Sequence, residues 1–146
     1  MWEFFPHLRP NSQDDLRRVY ERWSRGYQES DGVQVWENWL CRRRDSGQLA
    51  GAVQATLLPR RHAAYVAYSI YVEQQRRGYA REAMSAVIAH VRGTHHIETF
   101  YAEMHVRNRA SYLLAESLGF VRVEAVRDAE RREEPDADEY LYRLDV

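Results

Sequence analysis

The stretch IYVEQQRRGYARE, residues 70–82, decides the fold because it joins a β-rich segment to a helical one. Residues 63–72, which precede and enter it, are typical of a strand. The apolar residues that follow recur at i, i+4, i+7, i+8 and i+11, one face of an α-helix: Ala80, Met84, Val87, Ile88 and Val91. The sequence therefore predicts a strand, a turn containing Gly78, and a helix to about residue 91 that Gly93 stops.

This turn presents the start of a helix to an anion. The first backbone N–H groups of a helix have no partner within it, and the helix dipole adds partial positive charge there. Gly78 allows close approach of a phosphate, and Arg76, Arg77 and Arg81 add charge. We interpret the turn as a pyrophosphate site. The alternative is an ordinary strand-to-helix turn with solvated arginines.

The composition indicates one folded domain spanning residues 1–146, since 45% of the residues are hydrophobic and 12% are aromatic. A net charge of −1 gives no support for binding to nucleic acid or to an anionic membrane. No apolar run approaches the ~18 residues that span a bilayer, and no signal-peptide pattern follows Met1. We therefore expect a soluble, cytoplasmic protein.

The residue types exclude several chemistries. All 21 basic residues are arginine, which indicates a GC-rich, bacterial genome and excludes a lysine Schiff base. Cys41 is the only cysteine, which excludes an intrachain disulfide. His95 and His96 have no third ligand at metal spacing, so we expect no metal.

The rest of the chain predicts helices packed on a central sheet. Further helices are expected over residues 11–25 and 109–118. The pattern over residues 27–39 is ambiguous, and a short extra helix lined by Val33, Val35, Trp36 and Trp39 is one interpretation of it. The expected strands cover residues 4–9, 40–43, 49–58, 63–72, 99–106, 120–126 and 139–144. The aromatic segment over residues 140–144 is a candidate contact for a homodimer.

Three motifs, in this order, resemble the GCN5-related N-acetyltransferases (GNAT family). QRRGYA, residues 75–80, is similar to the family's Arg/Gln-x-x-Gly-x-Gly/Ala loop. NRAS, residues 108–111, and ESLGF, residues 116–120, are similar to its Asn-x-x-Ser helix ending in Gly-Phe. The opening residues 8–16 and Gly51 extend the likeness over most of the chain, closest to the branch that acetylates ribosomal-protein N-termini and small amines. The resemblance implies a GNAT-like α/β (α+β) fold, with a mixed, mostly antiparallel central sheet of about six or seven strands and helices on both faces.

The resemblance also implies an N-acyltransferase that moves an acetyl group from acetyl-CoA, a co-substrate, to a primary amine in a ternary complex. The acceptor would be a small-molecule amine or a peptide N-terminus. Amide groups of residues 75–80 would hold the CoA pyrophosphate, and backbone groups near residues 70–72 would pair with the pantetheine arm and polarise the thioester carbonyl. The implied cofactor-binding residues are Ile70, Tyr71, Val72, Gln75, Arg76, Arg77, Gly78, Tyr79, Ala80, Asn108 and Ser111.

The chain departs from the family at both positions that transfer protons. Ala115 stands where many members carry a tyrosine acid, and Tyr65 stands where the branch often has a glutamate. Tyr112, three residues before Ala115, is the candidate acid, with core packing as the alternative. Glu103 and His105 share one face of the fifth strand and are the candidate bases, with outward-facing strand residues as the alternative. A catalytically silent CoA-binding or protein-interaction module is the second functional hypothesis.

Overall fold

A seven-stranded sheet lies at the centre of the structure, which is a computed structural model describing residues 10–24, 27–28, 34–123 and 138–146. The strands are β1 (Tyr27–Gln28), β2 (Val35–Arg42), β3 (Leu49–Leu58), β4 (Ala63–Ile70), β5 (Thr99–His105), β6 (Val121–Val123) and β7 (Glu139–Asp145). The helices are α1 (Gln13–Ser24), α2 (Tyr79–His95) and α3 (Arg109–Ser117). The predicted strand over residues 4–9, the end of the predicted strand over residues 120–126 and most of the charged loop before β7 lie outside the described residues.

The sheet is mixed and mostly antiparallel, as predicted. Its spatial order is β1-β2-β3-β4-β5-β7-β6, and β4 with β5 is the one parallel pair among the described strands. Alternating residues of β3 are buried, which matches the period-2 pattern of a strand. The predicted α/β fold is confirmed.

The main core lies between one face of the sheet and helices α2 and α3. The predicted apolar stripe of α2 supplies four buried side chains: Met84, Val87, Ile88 and Val91. They meet Phe100, Ala102 and Met104 of β5 and the buried Ala115 of α3. Burying each of the larger side chains contributes ~1.5–3 kcal/mol. This core holds α2 and α3 side by side on one face, while α1 contacts β2.

The short helix considered for the segment that ends at Trp39 is wrong for its described residues, and Val33 lies outside them. Residues 35–42 form β2, which pairs with β3 from Val35–Leu57 to Arg42–Leu49. Val35, Trp39 and Cys41 pack against the core from alternate positions of this strand. Pairing with β3 decides the structure of a segment whose local pattern is ambiguous, because strand preference depends on the neighbouring strand.

Two element ends differ from the prediction. Gly93 does not stop α2, which continues until His96 takes a left-handed conformation and donates its N–H to Arg92 O at 3.1 Å. Val91 and Ile97, both fully buried, anchor the chain on either side of this glycine. β4 ends at Ile70 instead of Val72, since residues 72–74 form a 3₁₀ turn.

The segment over residues 140–144 is not an exposed aromatic surface. Leu141 and Tyr142 are buried, and Tyr140 and Leu144 pack against the main core. A homodimer stays a prediction, without the support of this segment.

No helix in the described residues is long and apolar enough to cross a membrane.

Candidate functional site

A cleft opens in the sheet where β4 and β5 separate. Their parallel pairing joins Ala63–Tyr65 to Thr99–Tyr101 and goes no further within the described strands. Beyond that point β4 stays paired with β3 as far as Ile70, and β5 stays paired with β7 as far as His105. Because the strands run in the same direction, the cleft widens towards their carboxyl ends. Each strand turns one backbone edge towards it, where N–H and C=O groups can bind an extended ligand.

Two helices begin at the open end of this cleft. α2 follows β4 and α3 follows β5, so parallel strands bring both helix N-termini to the same end of the sheet. Gly78 begins α2 with no side-chain cap from any described residue. Asn108 caps α3, because its Oδ1 accepts from Ser111 N–H at 3.3 Å. The first N–H groups of α2 are therefore the better anion donors.

The turn before α2 is held in a defined shape. The Gln75 Nε2 group donates to Ile70 O at 3.1 Å and ties the turn to the last residue of β4. Gly78 has a φ of +83°, and a Cβ added there would meet no atom within 4 Å. Glycine is therefore needed for the backbone conformation and not for lack of space. Arg76 adopts a φ of +62°, an unfavourable conformation for a residue with a side chain.

Positive charge concentrates at this end of the sheet. Five exposed arginines occupy the turn before α2, its first turn and the start of α3: Arg76, Arg77, Arg81, Arg107 and Arg109. Within the described part of the chain, none of their guanidinium groups forms an ion pair or a hydrogen bond. Arg18, Arg43 and Arg143, in contrast, pair with nearby aspartates. Charged groups without internal partners are available to bind an anionic ligand.

The predicted cofactor-binding residues all lie around this open end. Ile70 ends β4, Tyr71 and Val72 are exposed beyond it, and residues 75–80 form the turn and the start of α2. Asn108 and Ser111 form the first turn of α3. Asn108 has a structural role as a helix cap that the sequence analysis did not assign.

The candidate bases lie on the opposite face of the sheet from α2 and α3. Glu103 and His105 alternate with the core residues of β5, so they share the other face. The Nδ1 atom of His105 accepts from Arg107 N–H at 3.1 Å. Neutral His105 therefore carries its proton on Nε2, and its basic nitrogen is already occupied.

Tyr112, the candidate acid, makes packing contacts. Its ring meets Tyr140 edge-to-face with centroids 6.0 Å apart, and Arg122 lies 3.6 Å above the centre of the Tyr140 ring. Ala115 is buried in the core with 4% of its surface exposed. A catalytic role for Tyr112 stays a prediction, and these contacts favour the structural alternative.

Tyr68 lies beside the cleft, and its position could not be predicted from the sequence. It projects from β4 towards the helix-covered face, and its hydroxyl lies 3.5 Å from Ser111 O in the first turn of α3. Burial raises the pKa of the Tyr68 phenol, so it stays protonated at neutral pH. The sequence carries no signal for this contact, because its two residues are 43 positions apart. Arg107, just before α3, was also not singled out, although Arg109 lies inside the NRAS motif.

Groups of three or more histidine, cysteine or acidic side chains arranged to hold a metal do not occur within the described ranges.

Comparisons with known proteins agree with this geometry. The Acetyltransferase (GNAT) domain family matches residues 1–121. Comparison with curated proteins finds no matching sequence. Among solved structures, the ribosomal L7/L12 alpha-N-protein acetyltransferase RimL in complex with coenzyme A has a TM-score of 0.70 at 20% identity, covering 93% of this chain and 74% of that one.

Two further solved structures have similar scores. The spermidine N-acetyltransferase SpeG F149A mutant from Vibrio cholerae has a TM-score of 0.68 at 19% identity, covering 92% of this chain and 75% of that chain. An acetyltransferase from Agrobacterium tumefaciens has a TM-score of 0.63 at 20% identity and covers 76% of this chain. This chain spans 61% of the length of the Agrobacterium protein. At these identities the structures show the fold, whereas the family match covers most of the sequence, and the chain therefore belongs to the GNAT acetyltransferase family.

Proposed function

We propose that this protein transfers an acetyl group from acetyl-CoA to a primary amine. The observation that carries the proposal is the cleft between β4 and β5, with the uncapped start of α2 at its open end. An extended pantetheine arm can pair with the strand edges as an added strand would, and a pyrophosphate suits the N–H groups at the start of α2. The five exposed arginines, which have no ion pair among the described residues, supply charge for the phosphate groups of CoA.

In the proposed reaction the amine attacks the thioester carbonyl directly in a ternary complex. A backbone N–H on the cleft edge of β4 polarises the carbonyl, while the strand edges align the two reactants. Glu103 takes the proton from the amine, either directly or through water, because it lies on the strand beside the cleft. No step in this scheme requires a metal.

The acceptor approaches from the face of the sheet opposite α2 and α3. That face carries Glu103, His105 and the stacked rings of Tyr65 and Tyr101, whose centroids are 5.2 Å apart where the cleft closes. This mixture of carboxylate and aromatic surface suits a protonated amine that must lose its proton before attack. Both a peptide N-terminus and a small amine such as a polyamine fit this description, and we place the reaction in the cytoplasm.

A second candidate is a CoA-binding module without catalytic activity. It is favoured by the occupied Nδ1 of His105 and by the packing of Tyr112. The two candidates make the same prediction for CoA binding and opposite predictions for turnover.

Release of CoA thiol, followed across a panel of peptides, amino acids, polyamines and amino sugars, separates the two. The enzyme releases thiol with at least one class of amine well above the rate of thioester hydrolysis. Tight binding of acetyl-CoA without amine-dependent release over the whole panel would establish the silent module instead.

A further inference from the structure

The side chain of Tyr68 crosses the cleft on its helix-covered side. The pairing of β4 with β5 ends three residues before Tyr68, and the phenol extends from β4 to the first turn of α3. At 3.5 Å from Ser111 O, the hydroxyl lies beyond the usual O–H···O distance of about 2.5–3.0 Å. The contact is weak, so a better acceptor placed in the cleft would take this hydrogen bond.

The depth of Tyr68 in the cleft determines which part of a bound ligand its hydroxyl can contact. Strand residues rise ~3.3 Å each, so Tyr68 lies ~10 Å from the closed end of the cleft at Tyr65. It is deeper than Ile70 to Val72, which lie at the open end where the pantetheine arm enters. A ligand that enters from the phosphate end reaches Tyr68 with the end of its arm, which carries the thioester.

We infer that Tyr68 donates a hydrogen bond to the sulfur of acetyl-CoA as the sulfur leaves, an inference that rests on the proposed function. The amine nitrogen forms its bond to the carbonyl carbon, the carbon–sulfur bond breaks, and the electron pair stays on sulfur. Tyr68 keeps its proton and stabilises the thiolate through the hydrogen bond. The amine passes its proton to Glu103 or water, and the thiolate takes a proton from water as CoA departs.

The test compares CoA with desulfo-CoA, which lacks the sulfur, by calorimetry on the full chain at pH about 9. A hydrogen-bond donor beside sulfur favours the thiolate form, so bound CoA carries more thiolate at this pH than free CoA does. We expect the wild-type protein to bind CoA roughly tenfold more tightly than desulfo-CoA, as for a hydrogen bond to a charged group. Tyr68→Phe keeps the ring and loses most of this preference. Tyr140→Phe removes a hydroxyl from the same sheet face and keeps the preference.

A turnover measurement provides the second readout. Tyr68→Phe lowers kcat/KM for thiol release about 10- to 100-fold and leaves the Kd for acetyl-CoA within about threefold of the wild-type value. A role in packing alone would change the melting temperature and the Kd instead. The wild-type preference for CoA also increases between pH 7 and 9, a measurement that needs no variant.

Each outcome decides a different claim. If Tyr68→Phe keeps the full preference for CoA and the full rate, Tyr68 has no contact with sulfur, although the enzyme remains an acetyltransferase. A wild-type preference that does not change with pH overturns the inference as well. If the wild-type protein binds neither compound, the proposed function fails and the inference fails with it.

Discussion

At the scale of single residues, Gly51 controls the end of β4. A Cβ at this position would lie 2.1 Å from Ser69 O and 2.9 Å from Ile70 Cα, both of them backbone atoms. Gly51→Ala must therefore move the end of β4, and we expect a loss of ~2–4 kcal/mol in the free energy of unfolding together with weaker acetyl-CoA binding. Gly93→Ala is the matched control, because its added Cβ meets no atom within 4 Å inside a helix. Urea unfolding that shows equal stability for the two variants would contradict this account.

Asn108 combines the two roles of helix cap and proposed cofactor contact, and two substitutions separate them. Asn108→Ala removes the cap of α3 and lowers the free energy of unfolding by ~1 kcal/mol. Asn108→Ser restores a capping oxygen but has no amide to reach a ligand. If Asn108 binds the cofactor, the Kd for acetyl-CoA rises in both variants, while only Asn108→Ala loses stability. A serine variant that binds like the wild type would leave the cap as the sole role.

At the scale of elements, the N-termini of α2 and α3 and the arginines around them form the proposed binding site for the anionic groups of acetyl-CoA. Substituting Arg107 and Arg109 with glutamine should raise the Kd for acetyl-CoA roughly 3- to 10-fold and reduce its dependence on salt concentration, because exposed charges act through screened electrostatics. Arg92→Gln provides the control, because Arg92 is exposed, unpaired among the described residues and lies in the last turn of α2, at the opposite end of that helix from Gly78. If Arg92→Gln changed the Kd as much per charge removed at several salt concentrations, the effect would be one of general charge and not of a local site.

Some helices and strands could be predicted from the sequence and others could not. The apolar face of α2 and the alternating buried residues of β3 were predictable, because each follows from a local sequence pattern and the same residues form the core. β2 was mistaken for a helix in part, because only its pairing with β3 selects the strand. The pairing of backbone groups near residues 70–72 with a cofactor was implied by the family resemblance and not by periodicity. The occupied nitrogen of His105 and the contact of Tyr68 depend on local geometry and distant pairing, which no spacing in the sequence reveals.

At the scale of the whole molecule, a buried tyrosine of β7 joins that strand to α3 through a hydrogen bond. Tyr142 is 2% exposed and donates to Glu116 Oε1 at 2.9 Å. Burial, followed by the bond to Glu116, raises the pKa of Tyr142 to about 12. The folded state thus holds this proton more tightly than the unfolded state, whose tyrosine pKa is about 10. The resulting stability is fully present below pH 10 and is lost as the pH rises towards 12, by ~1–3 kcal/mol.

Urea unfolding at several values of pH between 8 and 12 measures this loss. Tyr142→Phe has lower stability at pH 8, because Glu116 loses its donor, but its stability falls less between pH 10 and 12. Parallel pH profiles for the wild type and Tyr142→Phe would contradict the assignment.

The sheet separates the two halves of the proposed reaction. Helices α2 and α3 and the arginines surround the proposed cofactor end, while Glu103 and the Tyr65–Tyr101 stack occupy the other face. The cleft between β4 and β5 is the route between them, so the whole account depends on its occupation by acetyl-CoA. Calorimetric titration of acetyl-CoA into the purified protein tests this claim most directly. We predict a single site per chain with a Kd below millimolar, and the absence of binding at sub-millimolar concentrations would contradict the account.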